Sequence, residues 1–233
     1  MPNLEINLDP VAAIRETLGM DRIDPVAAAV LAEMSGAESI AISLTEDQKP
    51  VRNRDLYILQ DIVRTRLNLR ISPTGKMVEM ALSIAPEMVT LVPPKGISGG
   101  VDVKKNGDLK DFVLMLKADQ QIAVCTLINP VLSQVKAATK IGADYICIST
   151  EKFARAKSYH ERISEHEKIA TIAKAAFKFD LGVMAGGGLN YQNVKEIAEI
   201  EQIETVSVGT AVAAKSILIG FENAVRDILD LIR

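Results

Sequence analysis

Residues 181–195 read LGVMAGGGLNYQNVK, a short apolar run that ends in three consecutive glycines, Gly186–Gly188, and passes into a helical pattern. A brief apolar run bounded by glycine suits a strand buried on both faces, and a glycine turn leading directly into a helix is the joint of a β-then-α unit. The same alternation extends in both directions. Strand-like runs lie at 4–9 (LEINLD), 39–44 (SIAISL), 68–72 (NLRIS), 88–93 (MVTLVP), 121–128 (QIAVCTLI), 145–150 (YICIST), 181–186 (LGVMAG) and 205–210 (TVSVGT). Between them, apolar residues recur at three- and four-residue spacing, as at 24–37, 53–67, 132–143 and 164–177. Asp24 before Pro25 marks a helix start, Gly36 and Gly142 mark helix ends, and Asn190 is expected to open the helix after the glycines. Eight such units predict an α/β fold, a (β/α)8 TIM barrel forming a single domain over residues 1–233. An open doubly wound sheet is the lesser alternative.

Composition narrows the function classes. The net charge is only −3, aromatics make up 4% of the chain and no basic stripe is present, so nucleic acid is not an expected partner. No apolar stretch approaches the roughly 18 residues that span a bilayer, and the opening MPNLEINLDP lacks the basic head and apolar segment of a signal peptide. A cytoplasmic protein with no membrane partner is the expectation. Cys125 and Cys147 fall inside strand-like runs and read as buried thiols; with His160 and His166 distant in sequence, no zinc site is expected.

A barrel gives the glycines a task. Ligands bind at the C-terminal ends of the strands, and the loops after strands seven and eight often hold a phosphate with main-chain N–H groups. Gly186, Gly187 and Gly188 occupy the first of these loops and Gly209 with Thr210 the second. The alternative is that the glycines only make tight strand-to-helix turns.

LEINLDP near the start, ISLTED at 42–47, RNRDL at 52–56, NLRI at 68–71, LVPPKG at 91–96, GGVDV at 99–103, AGGGLNYQNVK at 185–195 and VGTAV at 208–212 together resemble the pyridoxine 5′-phosphate synthase family, in order and across nearly the whole chain. The resemblance implies a (β/α)8 barrel with additional helices, a homo-octamer built from dimers and no metal or organic cofactor. The family condenses 1-deoxy-D-xylulose 5-phosphate with 3-amino-2-oxopropyl phosphate. Residue by residue, Asn7 and Asp9 match a substrate-contacting pair, Arg15 matches a phosphate-contacting arginine, and Gly188 and Gly209 match backbone contacts to the amino-ketone phosphate. Thr210 stands where the family has a histidine.

The acid–base residues implied by the same resemblance are replaced. Ser43 stands for a histidine proton acceptor, Arg70 for a glutamate and Gly187 for a histidine donor. Cys147, Ser149, Pro10, Thr45 and Pro50 occupy other family positions that carry Glu, His, His, Arg and His. Each positioned acid or base contributes about 10²–10⁴-fold to proton transfer, so the family reaction is expected to be weak or absent.

An arginine at position 70 would point into the barrel, where it needs either an internal carboxylate, Asp9 or the deeper Glu5, or a ligand anion held by bidentate hydrogen bonds. Lys95 after strand four and the pair Glu46 and Asp47 after strand two read as solvated loop residues, His160 and His166 as surface, and Glu151 at the end of strand six as a possible replacement acid or base. Three readings stay open at this level: a synthase, a divergent enzyme acting on another phosphorylated sugar or ketone with Asp9, Glu46 or Glu151 as acid–base groups, and a non-catalytic barrel that binds a phosphorylated metabolite or associates with an active relative.

Overall fold

The fold was described from a computed structural model that covers residues 1–94, 96–120 and 122–233, with the side chains of Asp119 and Gln120 left aside. Lys95 and Gln121 lie outside the described residues. The strands are β1 (Asn3–Asn7), β2 (Ser39–Leu44), β3 (Leu67–Ile71), β4 (Met88–Leu91), β5 (Ala123–Ile128), β6 (Tyr145–Ser149), β7 (Gly182–Gly186) and β8 (Thr205–Val208). They pair in parallel in chain order and close into a barrel, β8 joining β1 with Ile6 opposite Val208. Each expected strand is present, β2 with the expected bounds and the others shifted by one or two residues at one or both ends.

The helices are α1 (Asp9–Leu18), α2 (Pro25–Met34), α3 (Asn53–Ile62), α4 (Gly75–Ile84), α5 (Leu109–Gln120), α6 (Leu132–Ile141), α7 (Glu151–Ala154), α8 (Tyr159–Phe177), α9 (Val194–Ala198), α10 (Thr210–Ile219) and α11 (Phe221–Ile232). Their end signals act as chemistry dictates. Asp24 accepts a hydrogen bond from the Val26 N–H with Pro25 in the first turn, and Gly142 closes α6 in the left-handed region. Asn190 does not open a helix. Its Oδ1 accepts from the Gln192 N–H, Asn193 Oδ1 accepts from the Asn190 N–H, and this turn delays α9 until Val194. Among the described residues no helix is long and apolar enough to cross a membrane.

Strand alternation divides the interior into two layers. Leu4 and Ile6, Leu67, Leu69 and Ile71, and Val183 and Ala185 belong to the main core shared with the helices. The intervening positions face the bore, where Met88, Cys125, Leu127, Cys147 and Met184 form a smaller apolar cluster. Glu5, Asn68 and Arg70 lie at bore-facing positions among these, so polar groups sit on top of and beside an apolar floor.

Candidate functional site

Register places Arg70 between Ser43 on β2 and Thr90 on β4, and Gly186 between Ser149 on β6 and Ser207 on β8. Arg70, Gly186 and Gly187 therefore reach the bore from opposite walls. With Glu5, Cys147 and Glu151 they line one cavity of about 60 Å³, enough for a few waters or a small anionic group. Ser149 and Glu151 also line an adjoining groove of about 580 Å³ in which Lys152 and Arg155 stand.

The bore carries a buried polar chain. Glu5 Oε2 accepts from Ser39 Oγ at 3.2 Å and from Asn68 Nδ2 at 2.7 Å, and Asn68 Oδ1 accepts from Thr90 Oγ1 at 2.8 Å. Asn68 and Thr90 were not singled out by sequence reasoning. Their signal was a polar residue at an inward position of a strand whose outward positions are all apolar, as in the alternation Leu67-Asn68-Leu69-Arg70-Ile71.

Arg70 points into this bore, as its register requires, but it is not neutralised there by Asp9 or Glu5. No hydrogen bond or ion pair joins its guanidinium to a described residue, and its Nε is buried without a partner. Both carboxylates are committed elsewhere. Asp9 accepts from the Ser43 N–H through Oδ1 at 2.7 Å and from Ser43 Oγ through Oδ2 at 2.6 Å. Glu5 lies deeper, opposite Ser39, four residues before Ser43 on β2. The charge of Arg70 is still felt in the bore. Burial pushes the Cys147 thiol up to about 12, with Arg70 opposing and Glu5 reinforcing the shift. Cys125 is driven well above the ordinary thiol value, first by burial and then by Cys147. Both cysteines are free, buried and protonated at neutral pH.

The glycine turn is shaped by its protein neighbours. Gly187 and Gly188 have φ of 111° and 75°, a region that favours glycine. A Cβ at Gly187 would lie 3.0 Å from Glu151 Cγ, one at Gly188 2.8 Å from Ala154 Cβ, and one at Gly209 2.9 Å from the Asn7 carbonyl oxygen. Thr150 ties the β6 loop to the turn, its N–H donating to the Gly186 carbonyl at 2.9 Å and its Oγ1 to the Gly187 carbonyl at 2.7 Å. The turn nevertheless leaves donors open. No hydrogen bond within the described residues takes the N–H of Gly187, Gly188, Gly209 or Thr210, while Thr210 opens α10.

Other expected site residues are held by protein groups or lie at the surface. Asn7 Oδ1 accepts from the Asp9 N–H at 2.8 Å, so Asn7, Asp9 and Ser43 form a closed hydrogen-bonded corner at β1–β2. Arg15 is buried and paired within the protein. It donates to Asp55 Oδ1 at 3.0 Å, to Asp55 Oδ2 at 2.6 Å and to the Pro50 carbonyl at 3.1 Å, and the two side chains are 3% and 2% exposed. The reading of Arg15 as a phosphate contact is therefore corrected: its fork is filled by a carboxylate 40 residues further on. Glu46 and Asp47 lie on an exposed turn. His160 and His166 lie on α8, where His166 Nε2 bonds the Glu196 carbonyl, and neither lines the cavity.

These elements define a class, a parallel (β/α)8 barrel with a polar bore that opens at the C-terminal ends of its strands. The model of the pyridoxal phosphate biosynthesis protein PdxJ matches residues 4–233, and the chain belongs to that family. It is 45% identical over 237 residues to a pyridoxine 5′-phosphate synthase of Geobacter sp., covering 100% of this chain and 99% of the relative. The pyridoxine 5′-phosphate synthase of Citrifermentans bemidjiense is likewise 45% identical, over 238 residues, with the same coverage. Among solved structures, KGPDC from Streptococcus mutans superposes with a TM-score of 0.65 at 11% identity, covering 100% of this chain and 97% of that one. The phosphoribosyl anthranilate isomerase of Thermococcus kodakaraensis gives 0.65 at 13% identity, with 100% and 99% covered. At such low identity these two bear on the fold alone.

Proposed function

We propose that residues 1–233 form one cytoplasmic unit that binds a phosphorylated sugar or ketone at the C-terminal face of the barrel. The phosphate lies against the main chain of Gly186, Gly187, Gly188, Gly209 and Thr210. The names of the family and its relatives support a ligand of vitamin B6 biosynthesis or one close to it. The open N–H groups at the two glycine turns support the reading, because donors at a loop and a helix start converge on an anion. Assembly as a homo-oligomer, an octamer by resemblance, belongs to the same reading; the exposed run Ile217, Leu218 and Ile219 is apolar surface that a second copy would cover.

The condensation carried out by the relatives does not run through Ser43, Arg70 and Gly187. The observation that carries this is their state. The Ser43 hydroxyl is locked on Asp9, the residue at 70 is a guanidinium that stays charged, and the space beside Gly187 is filled by Glu151. A second reading is favoured by that last contact: Glu151, a partly buried carboxylate lining both cavity and groove, serves as the acid–base group of a divergent reaction. Asp9, hydrogen-bonded through both oxygens, and Glu46, exposed on a turn, are less suited.

Two measurements test the proposal. Incubation with 1-deoxy-D-xylulose 5-phosphate and 3-amino-2-oxopropyl phosphate is expected to give no appreciable pyridoxine 5′-phosphate; ordinary turnover of roughly 1–10³ s⁻¹ would overturn it. Thr210→Glu puts a negative charge at the start of α10, where it suits the helix but repels a phosphate. The variant is expected to fold normally and to lose inorganic phosphate binding in calorimetric titration. Unchanged binding would remove Thr210 and its loop from the site.

A further inference from the structure

Arg70 is a cation without a partner inside a cavity that it shares with Gly186 and Gly187. Arg70 is partly buried, with its Nε fully so; a guanidinium drawn out of water is disfavoured unless it is paired, and the carboxylates near it are engaged by Ser43, Ser39 and Asn68. Its planar fork matches a carboxylate through two parallel hydrogen bonds. The glycine turns and Arg70 meet across the bore: a Cβ at Gly186 would lie 3.7 Å from Cys147 Sγ, and Cys147 is the thiol on which the Arg70 charge acts. The cavity between them is small, and Met184 and Leu127 contribute apolar lining. A ligand whose phosphate rests on the glycine turns therefore extends its other end toward Arg70.

We propose that this barrel takes a ligand with two anionic ends, a phosphorylated carboxylic acid, whose phosphate lies on the glycine turns and whose carboxylate is held by Arg70. The inference rests on the phosphate reading given above and adds the second charge. Glu5 fits the scheme as a distant countercharge. It lines the same cavity but makes no hydrogen bond or ion pair with Arg70, its Oε2 being held by Ser39 and Asn68.

The test compares ligands that differ only at the second end. Glycerol 3-phosphate and 3-phosphoglycerate form a three-carbon pair, erythritol 4-phosphate and 4-phosphoerythronate a four-carbon pair, each titrated calorimetrically into the intact protein. In at least one pair the carboxylate is expected to bind about 10- to 100-fold more tightly than the alcohol, the scale of a charge-assisted hydrogen bond. Arg70→Met should erase that preference while leaving the alcohol's affinity unchanged. Arg70→Lys keeps the charge without the fork, and it should lose most of the preference, which covers the case of a Met variant that does not fold.

Equal binding of acid and alcohol in both pairs overturns the proposal, as does a preference that survives in either variant. An equal loss of both ligands in Arg70→Met also overturns it, because it would put Arg70 on the phosphate. The phosphate reading fails separately: if the alcohols and inorganic phosphate do not bind while the acids bind through Arg70, the carboxylate site stands and the glycine turns are not its companion. Binding by none of the probes overturns both.

Discussion

Arg15 and Arg70 are drawn inside the same molecule and end in opposite states. Arg15, on α1, forks onto Asp55 at the start of α3 and adds a backbone carbonyl; burial lifts the Asp55 carboxyl, but hydrogen bonds from Arg15 and the Arg52 N–H outweigh it and leave it below the ordinary value. The Arg15 guanidinium is correspondingly raised, chiefly by its hydrogen bond to Asp55. Both arginines have a buried Nε without a partner, but Arg70, on β3, also lacks any hydrogen bond or ion pair to the described residues at its terminal nitrogens, whereas those of Arg15 are filled. The difference lies in what surrounds each. The outer layer supplies Arg15 with a carboxylate whose two oxygens both face its fork, whereas the carboxylates of the bore are held by hydroxyl and amide donors and, among the described residues, face no cation within ion-pair distance. A cation satisfied by the protein is architecture; one left open in a cavity is available to a ligand.

The largest effect expected from this contrast is on Arg15. Arg15→Met strands a buried carboxylate and is expected to cost about 3–5 kcal/mol in urea denaturation. Because the folded pKa of Asp55 is lowered, the pair's contribution is complete above the unfolded carboxyl pKa of about 3.9 and is lost as pH falls through the lower folded value. The variant should therefore approach wild-type stability only in acid. A small loss at neutral pH, below about 1 kcal/mol, would break the contrast by making Arg15 as expendable as an unpaired residue.

The second effect falls on the corner beside Arg70. Ser43 lies opposite Arg70 on the β2–β3 ladder, yet its hydroxyl and N–H both close on Asp9. Ser43→Ala removes one donor and leaves Asp9 Oδ2 unsatisfied, at a cost of about 1–2 kcal/mol. It should also free Asp9 to reach for another cation. A variant that gains stability, or in which Asp9 and Arg70 show no coupling in a double-mutant cycle, would mean that the corner does not keep Asp9 away from Arg70.

Much of this was legible in the sequence, for identifiable reasons. Eight apolar runs between glycine, proline and helical patterns gave the strands, because a parallel strand buried on both faces is short, apolar and bounded by turn residues. The inward aim of Glu5 and Arg70 followed from alternation. Pairing was not legible. Nothing local joins Arg15 to Asp55, 40 residues on, and the resemblance that offered Arg15 to a phosphate could not see that its fork was filled. The loss of Asp9 and Glu5 as partners for Arg70 depended on Ser43, Ser39 and Asn68, each an unremarkable polar residue until the barrel closes. Asn190 failed as a helix start because its Oδ1 closes an Asx turn on the Gln192 N–H while Asn193 Oδ1 reaches back to the Asn190 N–H, local bonds that hold this stretch as a turn until Val194.

The smallest effect is expected at Arg70 itself, and it carries the most information. Arg70→Met takes out a charge that the protein does not pair, so no acceptor is left stranded and the orphan Nε goes with it. A thioether beside Met184, Leu127 and Cys147 extends the apolar floor of the bore. Against this stands only the lost long-range attraction between Arg70 and Glu5, which is weak because the two are not in contact. Ligand-free stability should therefore change by no more than about 1 kcal/mol and rise if it moves, as when a poorly compensated, partly buried charge gives way to an apolar group. Denaturation of the wild type and the variant without phosphate in the buffer measures this directly. A loss of about 3 kcal/mol or more, on the scale of Arg15→Met, would mean that Glu5 or Asp9 does pair with Arg70 in solution, and the distinction between the two arginines would collapse.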